Sequence, residues 1–389
     1  MGNKRLFRIL EVKVLSIYII FALLFTIALI MACQNYENTS TLNKYLSTND
    51  YKNPPIEQWE EDFINSNGLP EAPVAKYITA EDGLQLAFRE WIPENWDGKG
   101  DMVLIVPQWD LHSAHYALLG KILSENNVLA RVIDIRGTGL SVCKSANDCS
   151  DKAYTPRVYY DSYDYYLGKV GDCPNRQQLG RDLNLHVTDM QSNFPNASLN
   201  IVGHTNGVGI LIRLIESIGM STIKSAIFLS PFYHYEQPQI GTKKIDADKG
   251  NEIPYNFDML SYDPKLGAIG DAMRNIEDTG GHRYALKNLI KPFDDLQTVY
   301  FSYNFMESGL ATAPYGFWDA FTKPLLWINP KKQTGYDIDK AKIEYMQAPT
   351  AKENHFLIID NVTRYGLIWS KPLAETLVLW VKNPNTFNM

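Results

Sequence analysis

The stretch from Leu199 to Ile215 constrains the fold more than any other part of this 389-residue chain. It joins a short apolar run, a turn that contains Gly203 and Gly207, and a second apolar run with helical spacing. The turn Gly203-His204-Thr205-Asn206-Gly207 has the spacing G-x-S-x-G, with threonine in place of serine. Glycines are expected there because the chain turns so sharply that side chains flanking the central residue would collide. The stretch therefore predicts a buried β-strand leading directly into a buried α-helix.

Composition limits the classes of function. Apolar residues make up 45% of the chain, so a sizeable core is expected, and the formal net charge is -7. Lysine and arginine form no block of the kind that binds nucleic acid, so a DNA or RNA partner is not predicted. The spacing of the cysteines matches no zinc motif, and neither a metal nor a cofactor is predicted.

The amino terminus has the organisation of an export signal. Lys4, Arg5 and Arg8 precede an apolar run from Val14 to Ala32, which is the order of the basic and hydrophobic regions of a signal peptide. Small residues before Cys33 resemble a bacterial lipobox, in which cleavage precedes the cysteine and its thiol receives a lipid. The apolar run is also long enough to span a bilayer as an uncleaved signal anchor.

Both alternatives predict the same location. Residues 1–33 are a signal peptide with a lipobox-like end or a signal anchor, and the chain beyond them is expected to be exported and tethered to a membrane of the bacterial cell envelope. Residues 34–60 are rich in Asn, Thr, Ser and charged residues, and are predicted to be a linker. Residues 61–389 are predicted to be the folded domain.

Within this domain, short apolar runs alternate with segments of helical spacing. The predicted strands are Val74–Thr79, Leu84–Ile92, Met102–Val106, Val128–Ile135, the run from Leu199, Ser225–Phe232, Leu325–Ile328 and His355–Ile359. The predicted helices are Tyr116–Glu125, Leu179–Met190, the segment after Gly207 and Leu373–Val381. The first two strands are expected to form an antiparallel hairpin at a sheet edge. The alternation predicts a mostly parallel, doubly wound sheet flanked by helices.

Two inserts interrupt the alternation, at residues 142–174 and 233–320. Ligands of such sheets bind at the carboxyl ends of the strands, so the inserts are predicted to cover a pocket as lids. Cys143, Cys149 and Cys173 lie in the first insert. Outside the cytoplasm one disulfide is expected, joining Cys143 to Cys149 or either of them to Cys173.

Three motifs carry a resemblance to a known family. The first is Asp134-Ile-Arg-Gly-Thr-Gly-Leu-Ser141, the second is the turn 203–207, and the third is Leu104 to Ser113. They resemble the D-x-R-G-x-G-x-S turn, the nucleophile elbow and the oxyanion loop of the α/β-hydrolase superfamily, in particular its serine aminopeptidase and monoacylglycerol lipase branch. The resemblance covers roughly residues 74–382 and implies an α/β-hydrolase fold with lid-type inserts.

The resemblance implies a role for several residues. Thr205 occupies the nucleophile position, and Gln108, Trp109 and Asn206 belong to the oxyanion pocket. The acid is expected after the strand Leu325–Ile328, where Asp337 is preferred to Asp339.

The chain departs from the family pattern at residues that carry the chemistry. Pro107-Gln108 replaces the His-Gly of the oxyanion loop, and Val208 replaces the second glycine of the pair after the elbow. The segment Ile358–Gly366 looks like the one that carries the catalytic histidine, and Arg364 stands at that position. Arginine cannot act as the base, because it stays protonated.

Other histidines are weaker candidates for the base. His112, His115, His234 and His282 lie in loops that could reach the carboxyl edge of the sheet, and His234, just after the strand 225–232, is preferred among them. His204 is expected to pack under the elbow, and His355 begins the last strand at the opposite edge.

Two functions follow from this pattern. The first is a membrane-tethered, exported α/β-hydrolase-fold protein with lost or altered hydrolase activity, whose retained pocket binds a lipid or another ligand. The second is an active hydrolase of carboxylic esters or lipids, with Thr205 as the nucleophile and an unconventional base. The first is favoured, because the nucleophile, the base and the oxyanion loop all depart from the pattern.

Overall fold

The structure is a computed structural model. It describes residues 56–66, 68–142, 158–160, 163–165, 171–175, 177–234, 237, 242–246, 251–254, 260–261, 284–288, 293–294, 296–298, 300–313, 316–331 and 336–387. All of them belong to one compact unit, Lys52–Met389. Within these ranges no helix is both long and apolar enough to cross a membrane. The predicted export signal, Cys33 and most of the predicted linker lie outside the described residues.

A mostly parallel sheet forms the centre of the unit. The strands are β1 (Lys76–Thr79), β2 (Gln85–Trp91), β3 (Lys99–Val106), β4 (Val128–Ile133), β5 (Val158–Tyr160), β6 (Tyr163–Tyr165), β7 (Asn196–His204), β8 (Ile223–Leu229), β9 (Thr242–Asp246), β10 (Asn251–Pro254), β11 (Leu260–Ser261), β12 (Tyr284–Asn288), β13 (Tyr300–Ser302), β14 (Leu325–Pro330) and β15 (Phe356–Ile359). Eight of them form one sheet in the order β1-β2-β4-β3-β7-β8-β14-β15. The β1–β2 and β2–β4 pairs are antiparallel, and every neighbouring pair from β4 to β15 is parallel. The predicted edge hairpin and mostly parallel sheet are confirmed.

Helices cover both faces of this sheet. They are α1 (Gln58–Asn65), α2 (Ala117–Glu125), α3 (Gln178–Asn193), α4 (Gly207–Ile218), α5 (Tyr303–Gly309), α6 (Ile338–Tyr345) and α7 (Lys371–Lys382). Helices α3 to α6 contribute to one apolar cluster, and α2 and α7 contribute to the other. Because the side chains of a strand alternate between faces, the apolar central strands supply both clusters, as a doubly wound sheet requires.

Two strands end two or more residues earlier than predicted. The predicted strand Val128–Ile135 stops at Ile133, and Ser225–Phe232 stops at Leu229. Ser230 adopts a positive φ of 47°, a left-handed conformation that lies outside the β region of strands. The predicted strand therefore extends past the residue at which the backbone turns. Hydrophobic periodicity alone does not locate that turn.

The end of the predicted linker belongs to the folded unit. Residues 58–60 form the first turn of α1, and Glu60 is fully buried. The Glu60 carboxylate accepts hydrogen bonds from the N–H and the hydroxyl of Thr363, at 2.7 and 2.8 Å, and burial raises its pKa. Trp59 donates to the carbonyl of Asn361 at 2.8 Å. The domain boundary at residue 60 is therefore corrected to a point before Gln58.

The described parts of the inserts reach the core. Helix α5, from the second insert, packs so closely on α4 that a Cβ on Gly209 would collide with the carbonyl oxygen of Gly309 at the end of α5. In the first insert Cys173 is a buried free thiol, so neither predicted disulfide that involves Cys173 forms. Cys143 and Cys149 lie outside the described residues, and their pairing stays a prediction.

Candidate active site

The turn after β7 has the tight geometry expected of an elbow. Thr205 has a φ of 50°, which is strained for a β-branched residue. A Cβ on Gly203 would lie 2.8 Å from Cα of Val208, and one on Gly207 would lie 2.5 Å from the carbonyl oxygen of Pro107. Only glycine fits at either position, because the displaced atoms belong to the backbone.

Thr205 presents its hydroxyl without a partner. The residue is 2% exposed, and Oγ1 makes no hydrogen bond to the residues that the structure describes. Its backbone is held firmly, because its N–H donates to Leu229 at 2.8 Å and its carbonyl accepts from Phe232 at 3.0 Å. The elbow therefore fixes the position of the hydroxyl but supplies no group to remove its proton.

Two backbone N–H groups beside the elbow are uncommitted. The N–H groups of Trp109 and Asn206 donate no hydrogen bond to any part of the chain that the structure describes. These are the positions predicted to form the oxyanion pocket. Gln108, predicted with them, donates its own N–H to the Tyr116 hydroxyl at 2.9 Å and its side-chain amide to Asp110. The pair of N–H groups is the part of this pocket able to bind an oxyanion or a carbonyl oxygen.

The D-x-R-G-x-G-x-S segment is a structural turn that positions the oxyanion loop. The Asp134 carboxylate accepts from the N–H of Ser113 at 2.7 Å and from that of Leu140 at 2.8 Å. Gly139 has a φ of 53°, and its missing Cβ leaves room for the Asp134 carboxylate. Ser141 donates to the carbonyl of Asp134 at 2.7 Å. The motif therefore ties the end of β4 to the loop that carries Trp109.

His204 is a structural residue beneath the elbow. Its Nε2 donates to the carbonyl of Arg364 at 2.8 Å, and its Nδ1 accepts from the Tyr116 hydroxyl at 2.7 Å. Burial lowers the pKa of His204 to about 3, so the imidazole is neutral near pH 7. Both ring nitrogens are engaged, which leaves none for Thr205.

Arg364 occupies the loop after β15. Its Nη2 donates to the Tyr365 hydroxyl at 2.9 Å, and its guanidinium carbon lies 4.8 Å from the centroid of the Tyr365 ring. Tyr365 in turn donates to Asp110 at 3.3 Å. The loop thus places a permanent cation and a phenol where a base is expected, and neither takes a proton near neutral pH.

The comparisons with known proteins agree with this geometry. Residues 100–251 match the model of the family described as serine aminopeptidase, S33. The range includes the oxyanion loop, the D-x-R-G-x-G-x-S turn and the elbow. The matched range and the fold support an α/β-hydrolase. The resemblance to the serine aminopeptidase and monoacylglycerol lipase branch is confirmed.

Solved structures show the same α/β-hydrolase fold. A soluble variant of monoglyceride lipase from Saccharomyces cerevisiae, in complex with a substrate analog, is similar with a TM-score of 0.56 and 13% identity, over 82% of this chain and 97% of that one. Monoacylglycerol lipase from Paleococcus ferrophilus is similar with a TM-score of 0.50 and 13% identity, over 77% and 98%. A search of curated proteins finds no match by sequence. At these identities the structural likeness establishes the fold alone.

The candidate acid and base of this α/β-hydrolase do not meet Thr205. Asp337 caps helix α6 by accepting from the N–H of Lys340 at 3.0 Å, and its side chain is 44% exposed. Asp339 follows in the first turn of the same helix. Burial, with the charge of Arg213 adding to it, lowers the pKa of His234 to about 4. His234 is therefore neutral near pH 7, but it makes no hydrogen bond to the Thr205 hydroxyl.

The remaining histidines have other partners. His355 is buried before β15, where its ring packs on Trp380 with centroids 4.8 Å apart. This is the amino end of the strand, as the sequence predicted. His282 lies outside the described residues.

A cluster of His112, His115 and Asp294 lies beside the oxyanion loop of this α/β-hydrolase. One ligand atom from each residue lies within 4.8 Å of the others, a spacing that a metal ion could bridge. The Nε2 atoms of His112 and His115 lie 2.8 and 3.2 Å from one oxygen of Asp294. The Nδ1 atom of His112 accepts from the backbone N–H of Ala114 at 3.3 Å. The Nδ1 atom of His115 accepts from the backbone N–H of His112, also at 3.3 Å.

The tautomers of this cluster do not suit a metal. An imidazole that accepts at Nδ1 carries its proton on Nε2 when neutral, whereas a metal on Nε2 needs the lone pair there. Burial disfavours ionisation of Asp294, but the hydrogen bond from His112 and the close approach of His115, whose Nε2 is 3.2 Å away without hydrogen-bond geometry, hold its pKa well below its usual range. The cluster therefore suits a carboxylate held by two imidazoles, and it ties the second insert to the oxyanion loop.

Sequence reasoning missed several residues that shape this site. Tyr116 links Gln108 to His204, and Glu60 supports the loop that carries Arg364. Asn329, near the end of β14, is fully buried and unpaired. Asn329 could have been identified from the sequence, because it follows the apolar run 325–328. It therefore lies at the carboxyl end of a strand, where ligands of such sheets bind.

Proposed function

We propose that this α/β-hydrolase-fold protein of the lipase and esterase type binds a lipid or another acyl compound and does not hydrolyse it through a Ser-His-Asp triad. One observation carries the proposal: the Thr205 hydroxyl is buried on a firmly held backbone and has no hydrogen-bond partner in the described part of the chain. A nucleophilic hydroxyl needs a base within hydrogen-bond reach. Arg364 supplies a cation at the position where the family carries that base.

The oxyanion region supports binding of an acyl group. The uncommitted N–H groups of Trp109 and Asn206 suit a carbonyl or carboxylate oxygen. The Trp109 ring packs against Phe305 and Phe301, with centroids 5.5 and 5.9 Å apart. Polar donors beside an aromatic cluster are the combination that binds an acyl compound by its carbonyl end and its chain together.

A covalent probe tests the loss of turnover. The full-length protein and Thr205→Ala are exposed to a fluorophosphonate, and any adduct is mapped by mass spectrometry beside an assay with a p-nitrophenyl ester. We expect no adduct on Thr205 and equal, background hydrolysis by both proteins. An adduct on Thr205 together with hydrolysis that disappears in Thr205→Ala contradicts the proposal.

That contrary result would favour an active hydrolase with Thr205 as its nucleophile. The uncommitted N–H groups serve this alternative as well, since a tetrahedral intermediate needs them. His234→Gln then identifies the base: it abolishes hydrolysis if His234 acts on Thr205 and leaves it intact otherwise. The double variant Thr205→Ser/Arg364→His, which restores two residues of the family pattern, is the positive control for the assay.

We also propose that the protein is exported and attached to a bacterial cell envelope membrane. The basic residues before the apolar run 14–32, and Cys33 after it, support this. Mass spectrometry of the mature amino terminus separates the two forms of attachment. A lipidated Cys33 that Cys33→Ser abolishes indicates a lipoprotein, an intact Met1 indicates a signal anchor, and recovery of the full-length chain away from membranes contradicts both.

A further inference from the structure

A cavity of about 440 Å³ opens between helices α3 and α4. Both helices and the second insert contribute charged or polar side chains to its lining, among them Arg181, Asn184, Arg213, Glu216 and Thr312. Glu216 lies nine residues after Gly207, which is about 14 Å along α4 at the helical rise per residue. The cavity is therefore separate from the elbow, and its volume is in the range that binds small molecules.

Two opposite charges line this cavity without an ion pair. The Arg181 guanidinium donates to the side-chain oxygen of Gln177 at 3.0 Å, and the Glu216 carboxylate accepts from the Thr312 hydroxyl at 2.9 Å. Among the residues that the structure describes, Arg181 and Glu216 form no ion pair with each other or with any third group. Neutral partners thus orient both side chains and leave their charges uncompensated.

Each charge is also placed unfavourably for the helix that carries it. Arg181 lies in the first turn of α3, and Glu216 lies in the last turn of α4. A helix is partly positive at its amino end and partly negative at its carboxyl end, so a cation in the first turn and an anion in the last turn destabilise it. A local rule that is broken without a compensating contact is typical of a functional site.

The third charge of the cavity has a structural role. Arg213 donates to the carbonyl oxygens of Glu307 and Leu310, at the end of α5, and so fixes α4 against the segment that carries Thr312. The cavity as a whole disfavours a ligand of one charge. A simple anion meets the carboxylate of Glu216, whereas a simple cation meets two guanidinium groups.

We propose that this cavity binds a small zwitterion, whose carboxylate pairs with Arg181 and whose ammonium group pairs with Glu216. A guanidinium binds a carboxylate through two parallel hydrogen bonds, and an ammonium group donates directly to a carboxylate. The Asn184 amide adds further donor and acceptor groups. The bound zwitterion places a negative charge at the amino end of α3 and a positive charge at the carboxyl end of α4, which both helix dipoles favour.

Five probes distinguish a zwitterion from either charge alone. Glycine, γ-aminobutyrate and ε-aminocaproate carry both charges at increasing separations, whereas butyrate and butylamine carry one each. Dissociation constants are measured by saturation-transfer NMR on the full-length protein in phosphatidylcholine nanodiscs, with empty nanodiscs as the background. We expect one zwitterion to bind at least about threefold more tightly than butyrate and butylamine, the effect of one exposed ion pair. Saturable binding of no zwitterion, or equally tight binding of butyrate or butylamine, overturns the inference.

Two variants test the two charges separately. Arg181→Met and Glu216→Gln should each weaken binding of the best zwitterion by about three- to fivefold. Both should keep or slightly raise the melting temperature, because each removes a charge that is unfavourable to its helix. The control Glu375→Gln, which changes an exposed glutamate on α7, should leave the affinity unchanged. Unchanged affinity in Arg181→Met or in Glu216→Gln, or an equal loss in Glu375→Gln, overturns the inference and leaves the two charges as solvated surface groups.

Discussion

Replacing Arg136 with methionine tests whether the D-x-R-G-x-G-x-S turn is a structural device. Arg136 is 3% exposed. Its Nε and Nη2 donate to Asp182 on α3 at 2.6 and 3.0 Å, and its Nη1 and Nη2 donate to Asp82 in the β1–β2 turn at 2.6 and 3.1 Å. One guanidinium therefore joins the edge hairpin to α3 directly after β4. These four bonds hold the pKa of Arg136 above its usual value against the effect of burial.

The cost of Arg136→Met comes mainly from Asp182. Methionine fills a similar volume but leaves this buried carboxylate with Gln178, at 2.9 Å, as its remaining partner. Removing one member of a buried ion pair costs about 3–5 kcal/mol. The side chain of Asp82 is 18% exposed and can be hydrated in the variant, so it adds little to the loss of stability. We therefore expect a loss of about 3–5 kcal/mol in the free energy of unfolding, or a melting temperature lower by roughly 5 °C.

Urea unfolding of matched variants tests whether the Asp182 carboxylate causes this loss of stability. Arg136→Met/Asp182→Asn should recover most of the loss, because the stranded charge is gone. Arg181→Met is the control, since Arg181 is exposed and donates only to Gln177; a change below about 0.5 kcal/mol is expected. A loss under about 1 kcal/mol in Arg136→Met, or no recovery in the double variant, refutes the reasoning.

The loss should also depend on pH. Burial raises the pKa of Asp182 even beside Arg136, and removing the cation raises it further. A carboxyl whose pKa is higher in the folded state than in the unfolded state destabilises the fold fully above the folded pKa. That effect disappears as the pH falls through the folded pKa towards the unfolded one. The deficit of Arg136→Met should therefore shrink between neutral and mildly acidic pH, and a constant deficit contradicts the assignment.

Two further predictions concern the elbow. Gly207→Ala should prevent folding or cost several kcal/mol in urea unfolding, because its Cβ would meet backbone carbonyl oxygens. The control Gly180→Ala, whose Cβ would have only the Cβ of Arg213 nearby at 3.6 Å, should be neutral or stabilising by up to about 1 kcal/mol. Equal effects of the two substitutions would show that the elbow is not tightly packed. His204, whose pKa burial lowers to about 3, should show no change in its imidazole NMR shifts between pH 5 and 8, and a titration in that range would contradict its buried, neutral role.

The sheet was predictable because its signals are local. Apolar runs such as Met102–Val106 and Leu325–Ile328 lie inside the observed β3 and β14, and helical spacing from Leu179 to Met190 lies inside α3. The ends were less predictable, since Ser230 stops β8 by adopting a positive φ within an apolar run. Local pattern fixes the kind of element, and tertiary context fixes where it stops.

The site was predictable only where one segment forms it. The spacing of Gly203 and Gly207 predicts the sharp turn without knowledge of the rest of the chain. The contacts that define the chemistry join distant segments: His112 meets Asp294, and Glu60 meets Thr363. No spacing rule links residues that far apart, and the second insert, which carries Asp294, has no periodicity to read. The proton positions of the His112 cluster follow from backbone N–H groups that no sequence pattern reveals.

The site has two sets of groups to consider, those that position the backbone and an oxygen atom and those that would transfer a proton. Asp134 and the elbow glycines hold backbone in place, and the N–H groups of Trp109 and Asn206 attract an oxygen atom. The groups that would move a proton are a second set: among the described residues none forms a hydrogen bond with the Thr205 hydroxyl, and Arg364 stands where the family resemblance implies the base. Hydrolysis needs both sets, whereas holding a carbonyl in a fixed orientation needs only the first. The proposed function, binding of an acyl compound without cleavage, therefore requires only the positioning groups that the described residues supply.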